Sequence, residues 1–175
     1  GLSRTVVTLI TQVVVDPSDP AFARPEKPVG PFYSAAEAAR LQAAGWLLRE
    51  DAGRGWRRVV PSPQPRRVVE LEAVRALLGA GAVVVCCGGG GIPVAEGAEG
   101  LAGLEAVVDK DLAAALLAEG LGADVLVILT DVPYVYVDYG TPQARPLRAV
   151  TAQELAAYLA EGQFPPGSMR AKVEG

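Results

Sequence analysis

The feature that most constrains this chain is the apolar run Ala82–Cys87, which passes without a polar transition into Gly88-Gly89-Gly90-Gly91-Ile92-Pro93. A short apolar run with no alternation is what a strand requires when both of its faces are covered, as in a parallel sheet flanked by helices. A helical stretch, Lys110–Glu119, follows, and then a second continuous apolar run, Val125–Thr130. Strand, helix and strand in that order make a βαβ unit. The predicted class is therefore α/β, a three-layer αβα arrangement around a mainly parallel central sheet.

The rest of the chain is read around that core. Thr5–Val15 is rich in β-branched residues and reads as one strand. Between Asp16 and Tyr33, prolines at 17, 20, 25, 28 and 31 block a helix and predict an excursion from the core. Poor in apolar anchors, that stretch is expected to be a mobile flap. Ser34 with Glu37 has capping-box spacing ahead of a helix that stops near Gly45. Trp46–Glu50 and Trp56–Val60 flank the loop Asp51-Ala52-Gly53-Arg54-Gly55 and predict a hairpin.

After Pro61, Pro63 and Pro65, the positions Val69, Ala73, Ala76 and Leu77 recur at helical spacing until Gly79 and Gly81. Thr151 with Glu154 caps a last helix running to about Glu161. No repeat or low-complexity linker divides the chain. It reads as one domain over 1–175 with a small protruding subdomain at 16–60.

Composition limits the chemistry. The 175 residues contain no histidine, which removes Ser-His-Asp and Cys-His catalysis and the H-E-x-x-H zinc site. With 16 basic against 20 acidic residues the net charge is −4, so no nucleic-acid footprint is expected and phosphate binding has to be local. The apolar stretch Val83–Cys87 is far too short for a bilayer, so no membrane partner and a cytoplasmic location are expected. Cys86 and Cys87 are neighbours on the predicted central strand, facing opposite ways as packing residues, and no metal site is expected.

The candidate site gathers at the carboxyl edge of the predicted sheet, where open α/β sheets place ligands. Gly88, Gly89, Gly90 and Gly91 directly after a strand let backbone N–H groups approach an oxyanion, although four glycines also suit a plain tight turn. Neither G-x-G-x-x-G nor the Walker lysine loop is present. In Asp109-Lys110-Asp111 the carboxylates suit a helix N-terminus as caps. Lys110 opposes the helix dipole there, and a nearby phosphate would explain it, with Asp111 holding the ammonium. Thr130-Asp131-Val132-Pro133 leaves the next predicted strand at the same edge, and Gly167-Ser168-Met169 leads a flexible loop to Lys172. Lysines around an aspartate and a glycine turn suit phosphoryl transfer, which depends mainly on positioning and charge neutralisation.

These residues resemble the carbamate kinases, members of the amino-acid kinase fold, through essentially the whole chain. The resemblance rests on Thr11–Pro17, Lys27-Pro28-Val29-Gly30-Pro31-Phe32-Tyr33, Glu50–Pro63, Gly88–Val94, Val108-Asp109-Lys110-Asp111, Thr130–Pro133 and Gly167-Ser168-Met169. It implies reversible phosphoryl transfer between ATP and carbamate, giving ADP and carbamoyl phosphate, with Mg2+ and a homodimer, in arginine metabolism. It further implies that Lys110 and Lys172 neutralise the transferred group, that Asp111 orients them, and that Lys27 closes over the phosphates. Thr130, Asp131, Val132, Tyr136 and Met169 would border the nucleotide.

Against the family pattern the chain is expected to lack an N-terminal part and the extreme C-terminus, and to be a poor enzyme alone. A non-catalytic nucleotide-binding or dimerising fragment is the alternative. A kinase acting on aspartate or an acylated amino acid is disfavoured by Lys27–Tyr33 and Asp51–Pro63. Tyr134 stands where the family commonly has Gly, in a turn expected to take positive φ, so strain is expected there. Arg170-Ala171 replaces Gly-Pro and is expected to loosen the loop before Lys172.

Overall fold

The computed structural model describes residues 3–51, 53–165 and 168–175. The β-branched N-terminal run is two strands, β1 (Val6–Thr8) and β2 (Gln12–Val15), instead of the single strand expected. Thr11 marks the break. Its buried hydroxyl donates to the Leu9 carbonyl at 3.2 Å and accepts the Cys87 N–H at 2.9 Å. A polar group tied into two backbone segments fixes a bend that strand propensity alone does not reveal.

The bend sends the two halves into different sheets. β2, whose Val13, Val14 and Val15 are buried, lies in a four-stranded sheet with β6 (Pro65–Val68), β8 (Ile92–Gly97) and β9 (Gly100–Gly103), in the order β6-β2-β8-β9. It runs parallel to β8 and antiparallel to β6, and β9 folds back on β8 as a hairpin. β1 pairs in parallel with β7 (Val83–Val85) in a separate two-stranded ladder. The fold is thus α/β with small sheets of mixed orientation, in place of the mainly parallel sheet expected. β6 went unread because three prolines announce it. Pro65 is tolerated as the first residue of an edge strand, where its missing N–H breaks no necessary ladder bond.

A three-stranded antiparallel sheet is built from β3 (Lys27–Tyr33), β4 (Leu48–Glu50) and β5 (Trp56–Val60), in the order β3-β5-β4, with helix α1 (Ala35–Ala43) beside it. The Ser34–Glu37 capping box is formed. β3 contains Pro28 and Pro31 and lies at the edge, where proline is admissible. At the root of the expected flap, Asp19 caps a short turn over Pro20–Phe22 and accepts the Gln64 N–H at 3.0 Å. Phe22 packs on the core of Val13, Val15, Val68, Cys87, Val108 and Ala113, so the stretch has an apolar anchor after all.

Helix α2 (Leu71–Gly79) carries the chain from β6 to β7, and Glu70 before it accepts the Gln12 N–H at 2.7 Å. Helix α3 (Lys110–Leu121) closes at Gly122 with φ +65°, the left-handed cap that glycine accepts readily. A second, smaller core joins the hairpin β10 (Val135–Val137) and β11 (Arg145–Leu147) to α4 (Ala152–Ala160), capped by Thr151 and Glu154, and α5 (Ser168–Glu174).

Two expectations are corrected. Val125–Thr130 joins no strand ladder among the described residues, and its Val125, Val127 and Leu129 are 74, 72 and 87% exposed. Apolar composition marks the segment as strand-like, but a strand needs a neighbour, and none of the described residues provides one. Cys86 and Cys87 lie beyond the end of β7, a strand that among the described residues pairs only with β1, so they are not on a central strand. Cys87 instead has φ +53° and opens the glycine turn. Among the described residues no helix is long and apolar enough to cross a membrane.

Candidate functional site

The N-terminus of α3 gathers the charged candidates. Asp109 is the N-cap, its Oδ1 accepting the Asp111 N–H at 2.9 Å. Lys110 is therefore the first helical residue and Asp111 the second, and the two side chains differ sharply in exposure. The Asp111 side chain is 7% exposed and accepts from Lys172 Nζ at 2.7 Å, while Lys110 Nζ lies 3.6 Å from the same oxygen. Lys172 is 12% exposed and Lys110 65%. One buried carboxylate thus fixes one ammonium inside the protein and loosely steadies another in solvent.

Lys27 reaches the same helix end from β3, donating to Asp109 Oδ2. Burial pushes the Asp109 carboxyl up. The Lys27 ammonium, the Asp111 N–H and the Lys110 charge outweigh that and hold it below the usual carboxylate range. Three ammoniums meet two carboxylates here, leaving excess positive charge at the helix end that already favours anions.

The glycine turn packs against the entry to this helix. Cys87, Gly89, Gly90 and Gly91 all have positive φ. A Cβ on Gly90 would lie 2.0 Å from the Val108 carbonyl oxygen, one residue before the Asp109 cap, and a Cβ on Gly91 would lie 2.6 Å from Val13 Cγ2. Those two glycines are demanded by packing, and their amides bond back to Cys87 and Gly88 within the turn. Gly88 and Gly89 are exposed, with no atom within 4 Å of where a Cβ would sit. The expected four-glycine cradle therefore divides into a half held by close packing, Gly90 and Gly91, and an open half, Gly88 and Gly89, exposed to solvent. Beside it, a groove of about 250 Å³ at the ends of β1 and β7 is lined by Thr8, Ile10, Thr11, Cys86, Gly88 and Gly91.

The expected nucleotide-bordering residues lie on a different part of the fold. Thr130 and Asp131 are exposed and touch each other at 3.3 Å, Val132 is half-buried, and Tyr136 sits on β10. Met169, on α5, packs into the core of Val137, Leu147 and Phe164. Lys172 belongs to the same helix α5, not to the flexible loop expected; Gly167 lies outside the described residues. α5 therefore connects Met169 and Lys172 on one rigid element.

Arg170-Ala171 likewise does not loosen this segment. Arg170 Nε pairs with Glu174 one turn on at 2.6 Å, Ala171 is buried, and both residue types favour a helix. Nor is Tyr134 strained, since its φ is not in the left-handed region, where Cys87 and Asp138 are the non-glycine residues. Its ring meets Tyr136 edge-on at 6.4 Å, with the Arg148 guanidinium 5.1 Å from its centroid.

Sequence reasoning missed two contributors, the Thr11 hydroxyl that ties the glycine turn to the bend after β1, and Asp109 as the partner of Lys27. Asp109 looks like an ordinary cap because it is one. Its second oxygen is committed to a residue 82 positions away, which no local signal discloses.

Residues 9–175 match the profile of the amino acid kinase family. The chain belongs to that family. Within the amino acid kinases it is similar to the carbamate kinase of Pyrococcus horikoshii, 52% identical over 174 residues that cover 99% of this chain and 55% of that protein. The carbamate kinase of Lentilactobacillus hilgardii is 51% identical over 176 residues, with the same coverage of both chains. A solved structure of Giardia lamblia carbamate kinase bound to AMP-PNP superposes with a TM-score of 0.83 at 46% identity, covering 98% of this chain and 55% of that one. The chain thus spans about half the length of the curated relatives it matches.

Proposed function

We propose that this amino acid kinase chain is the phosphoryl-handling part of a carbamate kinase, which moves a phosphoryl group reversibly between ATP and carbamate and yields ADP and carbamoyl phosphate. The observation that carries the reading is the buried Asp111 carboxylate shared by Lys172 at 2.7 Å and Lys110 at 3.6 Å, next to the open half of a glycine turn. In phosphoryl transfer, negative charge spreads over the equatorial oxygens of the moving group, and fixed cations stabilise it without a nucleophilic side chain. Lys172, held by Asp111, is the immobile cation; Lys110 is the one able to follow the group. Lys27 supplies a third from the protruding subdomain at 16–60, and Gly88 and Gly89 are the exposed residues of the turn.

Thr130, Asp131, Val132, Tyr136 and Met169 border the nucleotide in this reading, which draws support from the AMP-PNP complex of the Giardia relative. The single-domain organisation, the three-layer αβα arrangement and the cytoplasmic location, expected from the sequence pattern, belong to the same proposal, as does the homodimer, which rests on the resemblance. Magnesium enters with the nucleotide as part of the substrate. Asp109 and Asp111 are each committed to lysines, and the described residues contain no group of three or more acidic or sulfur ligands placed to hold a metal ion. No step is therefore assigned to a protein-bound metal.

The test supplies ADP and carbamoyl phosphate and measures ATP formed, with nucleotide binding followed by calorimetry and Lys110→Ala as a control. Expected is slow ATP formation from carbamoyl phosphate but not from an aspartyl or acyl-glutamyl phosphate, reduced further, by about 10²- to 10⁴-fold, in the control. Nucleotide binding without transfer from any donor would favour the non-catalytic reading. Absence of nucleotide binding would overturn both.

A further inference from the structure

We propose that Asp109 is a positioning residue that docks Lys27, and through it the edge strand β3, onto the N-terminus of α3. The two oxygens of this carboxylate have separate duties. Oδ1 accepts the Asp111 N–H at 2.9 Å and so starts the helix; Oδ2 accepts from Lys27 Nζ. The pair is asymmetric in burial, with the Asp109 side chain 8% exposed and the Lys27 side chain 32%. The carboxylate is therefore a fixed, desolvated acceptor, and the lysine is the partner that can be released to solvent or to another anion.

The position of Lys27 in the chain gives the contact its reach. It is the first residue of β3 and pairs with Val60 at the end of β5, where the three-stranded sheet joins the rest of the protein. The other charged tie from this sheet to the body among the described residues, Arg58 with Glu105 at 2.6 Å, involves a glutamate that is 83% exposed, so water and salt weaken it. Lys27–Asp109 is thus the ion pair best sheltered to hold β3 against α3. It also explains why an acidic cap stands before Lys110: the same residue that begins the helix collects a cation from 82 residues away. Its meaning for catalysis rests on the carbamate kinase reading, because docking puts Lys27 beside Lys110 and Lys172 before any phosphate arrives. The docking itself does not depend on that reading.

The experiment compares the parent 175-residue protein with Asp109→Asn, Lys27→Met and the double variant, by hydrogen exchange resolved to β3, β2 and the first turn of α3. Asparagine caps helices as well as aspartate does, so Asp109→Asn keeps the helix start and removes only the charge that holds Lys27. Expected is about tenfold faster exchange in β3 for each single variant, no further gain in the double variant, and unchanged exchange in β2 and in the first turn of α3. Unchanged β3 exchange in Asp109→Asn would overturn the proposal. So would acceleration of the α3 first turn to the same degree, which would make Asp109 a cap and nothing more, or strictly additive effects in the double variant. None of these readouts needs turnover, so loss of the kinase reading and loss of this one are separable. Where transfer is measurable, Asp109→Asn should raise KM more than it lowers kcat, and Lys27→Met should mask that effect.

Discussion

Replacing Lys172 by Met removes one charge while keeping most of the aliphatic stem, so its effect reports the ion pair more than the packing. The carboxylate left behind, Asp111, is 7% exposed and loses its 2.7 Å partner, retaining only Lys110 at 3.6 Å. Breaking a buried pair from one side costs about 3–5 kcal/mol, because the remaining charge stays desolvated without compensation. Lys110→Ala removes a partner that is 65% exposed, and exposed pairs contribute no more than about 1 kcal/mol. Urea unfolding read by circular dichroism should therefore shift its midpoint down by about 1–2.5 M for Lys172→Met, taking an m-value of about 2–3 kcal/mol/M, and by no more than about 0.5 M for Lys110→Ala. The double change Asp111→Asn, Lys172→Met discards both charges and should recover much of the loss. Equal midpoint shifts for the two lysines, or a double variant no better than Lys172→Met, would refute the assignment of Asp111 and Lys172 as a buried pair.

Three further outcomes are expected. Gly90→Ala should lower the melting temperature markedly, because its methyl would sit 2.0 Å from the Val108 carbonyl oxygen at φ +96°; Gly89→Ala, with open space around it, should cost only about 1 kcal/mol for its positive φ, and comparable melting points for the two would contradict the division of the turn. Because the Asp109 carboxyl is held below its usual range, its contribution to stability is present above the unfolded value near pH 4 and is lost as pH falls through the lower folded value. Urea midpoints measured from pH 6 to pH 3 should fall less steeply for Asp109→Asn than for the parent, and parallel curves would contradict this. Burial pushes the Cys87 thiol up to about 11, so at pH 8 it should alkylate far more slowly than free cysteine, whereas mass spectrometry showing rapid modification of Cys87 would argue against its burial.

What could be read from the sequence was what the chain decides locally. The capping boxes at Ser34–Glu37 and Thr151–Glu154 form as their three-residue spacing demands, and the Leu48–Glu50 and Trp56–Val60 strands pair as a hairpin. The failures are non-local. Thr5–Val15 divides because the Thr11 hydroxyl engages Cys87 from another part of the chain, and Val125–Thr130 is no strand because apolarity cannot supply a ladder partner. The candidate site could be read in its residue types but not in its geometry. Lys110, Asp111 and Lys172 do meet, yet Lys172 arrives on a helix, and the four glycines divide according to which of them faces Val108 or Val13.

The arrangement at α3 also explains why three lysines can share one helix end. Placed there alone they would repel one another and the positive end of the helix dipole. Asp109 and Asp111 flank Lys110 in sequence, and their carboxylates offset that repulsion for Lys27 and Lys172 respectively. Lys110 receives only a distant share of Asp111, so the uncompensated charge falls on the most exposed of the three ammoniums. Exposure falls from Lys110 through Lys27 to Lys172, which orders the cations from most to least free to move. A rigid cation alone would bind an anion in one place, and a mobile cation alone would bind it loosely. Together they suit an anion whose charge shifts in position, which is what the proposed phosphoryl transfer would require.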